Sequence, residues 1–132
     1  MTTTRVTVTL HHGTTLRRAR LIEAHGPDPN LREPGGRHQP PAEAFSTCIA
    51  GVEYCATGLP EEYAHLKHAQ SPTDGGPAIL EIHVPDWIVN LLYADPISAG
   101  VARGGELRFE PENGLNELRA EWPNLTKQVI PL

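Results

Sequence analysis

Residues 6–15 limit the possible folds of this chain more than any other stretch. Their first half alternates apolar residues with threonines, which is the period-two pattern of a half-buried β-strand: Val6, Val8 and Leu10. The tripeptide His12-Gly13-Thr14 follows, and a helical pattern begins at Thr15. A histidine and a glycine at the end of a strand leave an imidazole and two backbone polar groups accessible to a planar ligand.

Size and composition indicate one domain spanning residues 1–132, with a mostly aliphatic core because aromatic residues make up only 5% of the chain. The net charge of -5 argues against a general affinity for nucleic acid. No apolar run is long enough to span a membrane, and no apolar leader follows the first residues. We therefore expect a cytoplasmic protein without membrane contact, in which Cys48 and Cys55 are reduced thiols.

The rest of the chain alternates short helices with short strands. A helix from Thr15 to Gly26 leads into a loop rich in Pro and Gly, Gly26 to Pro41, which we expect to be functional. Further strands are predicted at 44–49, 78–84, 106–110 and 127–131, and further helices at 59–69, 85–92 and 113–121. No glycine-rich phosphate turn follows a strand, so the pattern favours an α+β fold over a doubly wound parallel sheet.

The order of the motifs resembles that of the ADP-ribosyltransferase superfamily, whose NAD-binding fold opens with a strand ending in His-Gly-Thr or His-Gly-Ser. His12-Gly13-Thr14 matches the first motif, Phe45-Ser46-Thr47 occupies the place of the second, and residues 104–110 that of a late acidic strand. The resemblance extends over nearly the full length. It implies split, mostly antiparallel small sheets that form a cleft, with peripheral short helices and central strands at 6–10 and 79–84.

The resemblance also implies NAD as a co-substrate and assigns roles around it, without a metal. His12 would hold a ribose hydroxyl of NAD, and the backbone of Gly13 would bind the nicotinamide amide, with Thr14 beside them. The pyrophosphate would meet two arginines of the long loop, Arg32 and Arg37. The second motif would complete the site through Phe45, Ser46 and Thr47, with Phe45, Tyr54 or Tyr63 stacking on the nicotinamide.

Cleavage of the bond between nicotinamide and ribose passes through an oxocarbenium-like transition state, which a nearby carboxylate stabilises. Glu106 is the favoured carboxylate and Glu110 the second candidate, because residues at i and i+4 on one strand share a face. We expect His12 and Glu106 to face the same cleft. His11 should point to the opposite face from His12.

These features together predict an NAD-dependent ADP-ribosyltransferase acting on an unidentified protein, nucleic acid or small molecule. An NAD glycohydrolase, an RNA 2′-phosphotransferase-like enzyme and an inactive module that binds a nucleotide or a partner protein remain alternatives. An antitoxin-like or regulatory protein is a further partner that the resemblance allows.

Overall fold

The computed structural model describes residues 6–27, 45–51, 59–94, 106–111 and 113–132, which form five strands and four α-helices. This composition confirms the predicted α+β class. No helix in these ranges is long and apolar enough to cross a bilayer. The elements are β1 (Thr7–Thr15), α1 (Leu16–His25), β2 (Phe45–Ile49), α2 (Pro60–Gln70), β3 (Pro77–Pro85), α3 (Asp86–Ala94), β4 (Glu106–Phe109), α4 (Leu115–Glu121), a 3₁₀ turn (Trp122–Asn124) and β5 (Thr126–Pro131).

The strands form one antiparallel sheet in the order β4-β2-β1-β3-β5. The two segments expected to be central are confirmed as interior strands, since β1 is the middle strand and β3 is its neighbour. The expected pair of small sheets is not what the described residues form. The reason is the long register between β1 and β3, which joins nine residue pairs from Thr7–Pro85 to Thr15–Pro77 and leaves each strand one further neighbour.

The tripeptide His12-Gly13-Thr14 lies inside β1, not at its end as the sequence pattern predicted. Pairing with β3 keeps the chain extended through Thr15, and α1 begins at the next residue. The backbone N–H of Leu16 donates to the carbonyl of Gly76 at 2.8 Å, which continues the ladder one step into the helix. His12 is therefore held in a strand by its pairing with Leu80, and it does not lie in a turn.

The core lies between one face of the sheet and three helices. Alternation along the paired strands places Leu10, Leu80 and Ile82 on this face, and all three are fully buried. Buried residues of α1, α3 and α4 belong to the same apolar cluster, including Ile22, Ile88 and Leu118. Burying each such side chain contributes about 1.5–3 kcal/mol to the stability of the fold.

Helix α2 covers the opposite face of the sheet at Gly13. A Cβ atom on Gly13 would overlap the carbonyl oxygen of Pro60 and would lie 3.1 Å from the backbone nitrogen of Ala64. Only a residue without a side chain permits this close approach of helix to strand. The glycine of the tripeptide therefore has a packing role in addition to any role in binding.

Candidate nucleotide site between β1 and β2

The ladder between β1 and β2 ends after two residue pairs, Leu10–Ile49 and His11–Cys48. The described residues of these two strands form no further pair with each other, although β1 continues to Thr15. Over its remaining length β2 pairs with β4 on its other side, down to Phe45–Phe109. The two central strands thus diverge, and we refer to the space between Gly13 and Ser46 as the β1–β2 gap.

The side chain of His12 occupies one side of this gap. Its Nδ1 lies 2.7 Å from the carbonyl oxygen of Ser46. Because a carbonyl oxygen only accepts hydrogen bonds, Nδ1 carries the proton and Nε2 of the neutral ring is an acceptor. If the ladder continued, the N–H of Gly13 would donate to the Ser46 carbonyl. At the point where the strands diverge, Nδ1–H of His12 donates to this carbonyl instead.

The backbone groups of Gly13 point toward the gap. The bonds from Asp86 N to Val6 O (3.0 Å) and from Leu16 N to Gly76 O show that even-numbered residues of β1 direct their backbone groups at β3. The bond from Ala50 N to Thr9 O (2.9 Å) shows that odd-numbered residues face β2. By this alternation, the N–H and C=O of Gly13 are directed at the β1–β2 gap.

The surroundings of His12 favour the neutral form of its imidazole. Burial of the ring lowers its pKa below the ordinary value of 6.5, and the positive charge of Lys67 lowers it further. The hydrogen bond to the Ser46 carbonyl acts in the opposite direction, because it is stronger for the protonated ring. The net lowering favours the form whose Nε2 accepts a hydrogen bond from a hydroxyl group.

Phe45 packs against His12 and belongs to the core. The two ring centroids are 4.6 Å apart at an interplanar angle of 34°. The rings of Phe45 and Trp122 are nearly perpendicular, at 85°, with centroids 6.3 Å apart. Phe45 is 6% exposed, so it orients the imidazole from the core side. Tyr54 lies outside the described residues, and Tyr63 is in α2, where the Nζ of Lys67 lies 5.1 Å from its ring centroid.

The two threonines of the motifs differ in their hydrogen bonding. Thr47 is buried, and its Oγ1 donates to the carbonyl of Leu107 at 3.0 Å, which ties β2 to β4. Thr14 is fully buried on the same side of β1 as His12, and its Oγ1 has no hydrogen-bond partner in the described structure. A buried hydroxyl without a partner costs about 1–3 kcal/mol. The neighbouring Thr15 Oγ1 is also buried and has no partner in the described structure.

The register places Glu106 opposite Cys48, which itself pairs with His11. Glu106 thus stands in the ladder row of His11 and not in that of His12, so the register does not support the expectation of a shared cleft with His12. Its side chain lies outside the described part of the structure. Strand β4 ends at Phe109, and Glu110 instead bridges to Asn113 through two backbone hydrogen bonds of 3.1 and 2.8 Å.

A polar cluster that the sequence did not reveal lies on the face of the sheet opposite to the core. His11 Nε2 lies 2.8 Å from Glu81 Oε2, and Gln128 Nε2 donates to Glu81 Oε1 at 2.8 Å. His83 Nε2 lies 3.4 Å from Glu81 Oε1, and its Nδ1 is 3.1 Å from Thr9 Oγ1. The hydrogen bond from His11 is the largest cause of the lowered pKa of Glu81. The predicted orientation of His11 away from His12 agrees with this cluster.

The remaining predicted residues, Arg32 and Arg37, lie outside the described residues. Within the described ranges, no group of three or more His, Cys, Asp or Glu side chains is arranged to hold a metal ion.

No family model matches the chain, and no curated protein or solved structure is significantly similar to it. Functional arguments therefore rest on the β1–β2 gap and on its chemistry.

Proposed function

We propose that the chain binds NAD at the β1–β2 gap and transfers ADP-ribose from it to an acceptor. One observation carries the proposal. The two central strands diverge where His12 bonds to Ser46, and this directs the backbone groups of Gly13 into the gap. A site of this kind is what the resemblance to ADP-ribosyltransferases implies for the first motif.

The groups around the gap complement the nicotinamide riboside half of NAD. A carboxamide carries one acceptor and two donors, and the N–H and C=O of Gly13 form a matching pair. Nε2 of neutral His12 accepts a ribose hydroxyl, while Nδ1 stays bonded to Ser46. Thr14 Oγ1 adds a buried hydroxyl without a partner next to His12. A hydroxyl of NAD could bond to Thr14 Oγ1, which has no partner among the described residues.

In the transfer itself, the bond between ribose C1″ and the nicotinamide nitrogen breaks, and its electron pair leaves with nicotinamide. The acceptor atom forms the new bond to C1″ and loses its proton to solvent or to a base. A carboxylate stabilises the positive charge that develops at C1″. We propose Glu106 for this role, with Glu110 as the second candidate, since both follow from the position of the late acidic strand.

The decisive experiment is incubation of the purified protein with NAD and chromatographic detection of released nicotinamide. His12→Ala should weaken NAD binding, because a contact present in the ground state is lost. Glu106→Gln should preserve binding and lower turnover by about 10²–10³, because the carboxylate acts on developing charge. Glu110→Gln is the matched control. If only Glu110→Gln abolishes the release of nicotinamide, Glu110 is the stabilising carboxylate and Glu106 is not.

The nature of the products separates the related enzyme classes. Free ADP-ribose as the sole product would indicate an NAD glycohydrolase, with water as the acceptor. Modification of a protein, a nucleic acid or a small molecule would indicate a transferase. Consumption of NAD only in the presence of 2′-phosphorylated RNA would indicate a 2′-phosphotransferase-like enzyme.

A second candidate function is a module that binds a nucleotide or a partner protein without turnover. The position of Glu106 in the row of His11 favours this candidate, because it separates the carboxylate from the row of His12. Such a module would bind ADP-ribose or NAD and release no nicotinamide with any acceptor. Loss of nucleotide binding in His12→Ala would still locate the site at the gap.

A further inference from the structure

The face of the sheet opposite to the core brings a hydroxyl group next to an imidazole. Thr9 and His83 are direct partners in the ladder between β1 and β3. Because the backbone groups of odd-numbered residues of β1 face β2, Thr9 and His83 form a pair without mutual backbone hydrogen bonds. The side chains of such a pair approach closely, and Thr9 Oγ1 lies 3.1 Å from His83 Nδ1.

Glu81 faces the other nitrogen of this imidazole. Its Oε1 lies 3.4 Å from His83 Nε2, and its two oxygens also accept hydrogen bonds of 2.8 Å from His11 and Gln128. The hydrogen bond from His11 is the largest cause that lowers the pKa of Glu81, so the carboxyl group is ionised at neutral pH. Since a carboxylate only accepts hydrogen bonds, the proton of neutral His83 belongs on Nε2. Nδ1 is then the acceptor for the hydroxyl of Thr9.

These contacts form a chain of hydroxyl, imidazole and carboxylate. A hydroxyl is activated for nucleophilic catalysis when a base lies within hydrogen-bond reach and a third group orients that base. The distance of 3.1 Å between Thr9 and His83 meets this criterion. The chain is open to solvent in part, because the side chain of His83 is 32% exposed and that of Glu81 is 17% exposed.

An open groove adjoins His83 and provides space for a substrate. Its volume is about 250 Å³, and hydroxyl, amide, imidazole and apolar groups line it: Thr7, His83, Pro85, Asn124, Leu125 and Thr126. None of these six described residues carries a fixed charge. An anion would need a cationic partner, so the lining favours a small uncharged molecule with a polar group.

We propose that Thr9, His83 and Glu81 form a second site, at which Thr9 is the nucleophile in the hydrolysis of small uncharged carboxylic esters. Thr9 Oγ1 bonds to the acyl carbon while its proton passes to His83 Nδ1. The bond between the acyl carbon and the alcohol oxygen breaks, and this oxygen takes the proton as the alcohol leaves. Water then attacks the ester formed with Thr9 by the same proton steps, which releases the carboxylic acid and restores the hydroxyl. Glu81 acts through His83 and is a positioning residue.

Hydrolysis of p-nitrophenyl acetate, a small uncharged ester, tests the site. Absorbance measures the released p-nitrophenolate, and peptide mass spectrometry after acid quenching identifies the acetylated residue. Thr9→Val removes the hydroxyl and keeps the shape of the side chain, Thr9→Ser keeps the hydroxyl, and His83→Gln removes the base. Thr7→Val is the matched control, because Thr7 lies on the same strand, face and groove but pairs with Pro85, which has no base.

We expect the unmodified protein, Thr9→Ser and Thr7→Val to hydrolyse the ester, with the acetyl group on residue 9. Thr9→Val should release p-nitrophenolate only at the rate of buffer without protein, and His83→Gln should lower the rate about 10²–10⁴-fold. Equal hydrolysis by Thr9→Val and the unmodified protein overturns the proposal. An unmodified protein that is inactive, or whose Thr9 carries no acetyl group, overturns it as well. If Thr9→Val does not fold, the location of the acetyl group in the unmodified protein decides.

Glu81→Gln separates positioning from a purely structural role. This variant should lower kcat about tenfold and leave KM unchanged, because Glu81 contacts His83 and does not line the groove. An unchanged kcat removes Glu81 from the site. None of these assays contains NAD, so their outcome is independent of the outcome for the proposed transferase.

Discussion

His12 combines two roles that a sequence motif does not distinguish. Its Nδ1–H replaces a backbone donor for the Ser46 carbonyl, which is a structural role at the point where β1 and β2 diverge. Its Nε2 remains an acceptor, which is the role that binding of a ribose hydroxyl requires. Burial against Phe45 makes the neutral ring the favoured state. His12 therefore has a structural role at this point, and its ring also has an acceptor for the proposed ribose contact.

The lowered pKa of His12 predicts that acid destabilises the fold in a defined window. The folded protein prefers the neutral ring, whereas the unfolded chain takes up a proton as the pH falls below 6.5. The contribution of neutral His12 to the unfolding free energy is therefore complete above pH 6.5. It is lost as the pH falls toward the lower pKa of the folded state. Urea unfolding between about pH 7.5 and pH 5 should show this slope, at most about 1.4 kcal/mol per pH unit.

The control for this slope is His12→Gln, which keeps a donor for Ser46 but has no titrating group. The difference in unfolding free energy between the two proteins should grow smaller as the pH falls. A difference that is constant with pH would show that His12 does not titrate in this window.

Thr14 gives a second test at the scale of one residue. Its buried Oγ1 has no hydrogen-bond partner in the described structure, so Thr14→Val should leave the protein equally stable or stabilise it by about 1 kcal/mol. If the hydroxyl contacts the nucleotide, the same variant should bind NAD more weakly. Denaturant unfolding and calorimetry measure the two effects. A loss of stability above about 2 kcal/mol would instead assign Thr14 a structural hydrogen bond.

At the scale of elements, the contact between α2 and β1 depends on a position without a side chain. Helix α2 approaches the sheet so closely at Gly13 that a Cβ would overlap the Pro60 carbonyl, which belongs to the backbone and has little freedom to move. Ala64 of the same helix is fully buried, and its backbone nitrogen lies 3.1 Å from the position of that Cβ. The separation of α2 from β1 therefore depends on glycine at this position.

Gly13→Ala should destabilise the protein by about 1–3 kcal/mol, because α2 must move away from β1 to accommodate the methyl group. Gly76→Ala is the matched control, since a Cβ at Gly76 meets no atom within 4 Å. Denaturant midpoints of the two variants provide the comparison. Equal midpoints would mean that the helix does not pack on the strand as described.

At the scale of the whole molecule, the polar cluster around Glu81 joins three strands of the sheet on the face opposite to the core. His11 comes from β1, Glu81 and His83 from β3, and Gln128 from β5. The side chain of Glu81 is 17% exposed, so its contacts are partly shielded from solvent. The strand register brings these residues together, although His11 and Glu81 are 70 residues apart in the sequence and Glu81 and Gln128 are 47 apart.

The lowered pKa of Glu81 predicts a further loss of stability in acid, at lower pH than that of His12. The carboxylate stabilises the fold above its ordinary pKa of 4.5, and the contribution is lost as the pH falls through the lower pKa of the folded state. At neutral pH, Glu81→Gln should cost about 1–3 kcal/mol, because His11 loses a charged acceptor. The unfolding free energies of Glu81→Gln and the unmodified protein should converge as the pH falls from neutral to acidic.

Exposed Glu62 provides the comparison for this variant, since Glu62→Gln should lower stability much less than Glu81→Gln. If the unfolding free energies of Glu81→Gln and the unmodified protein differ by a constant amount down to about pH 3, the assignment of Glu81 as a paired carboxylate is wrong.

Local sequence patterns predicted most of the helices and strands and the α+β class. Alternation in residues 6–10 and 78–84 reflects burial of one face, and it identified the two interior strands β1 and β3. The helix predicted at 59–69 matches α2, Pro60–Gln70, because a proline in the first turn and acidic residues after it favour a helix start locally. Such signals act over a few residues and need no knowledge of distant partners.

The pairing of the strands, their register and the length of each ladder became known from the folded structure. The nine-pair ladder with β3 extended β1 through His12-Gly13-Thr14, and the divergence from β2 after His11 produced the gap. The same register aligned Glu106 with His11 and brought Glu81 to His11. Periodicity along a strand fixes which residues share a face, whereas pairing between strands depends on contacts between distant segments, which no local pattern encodes.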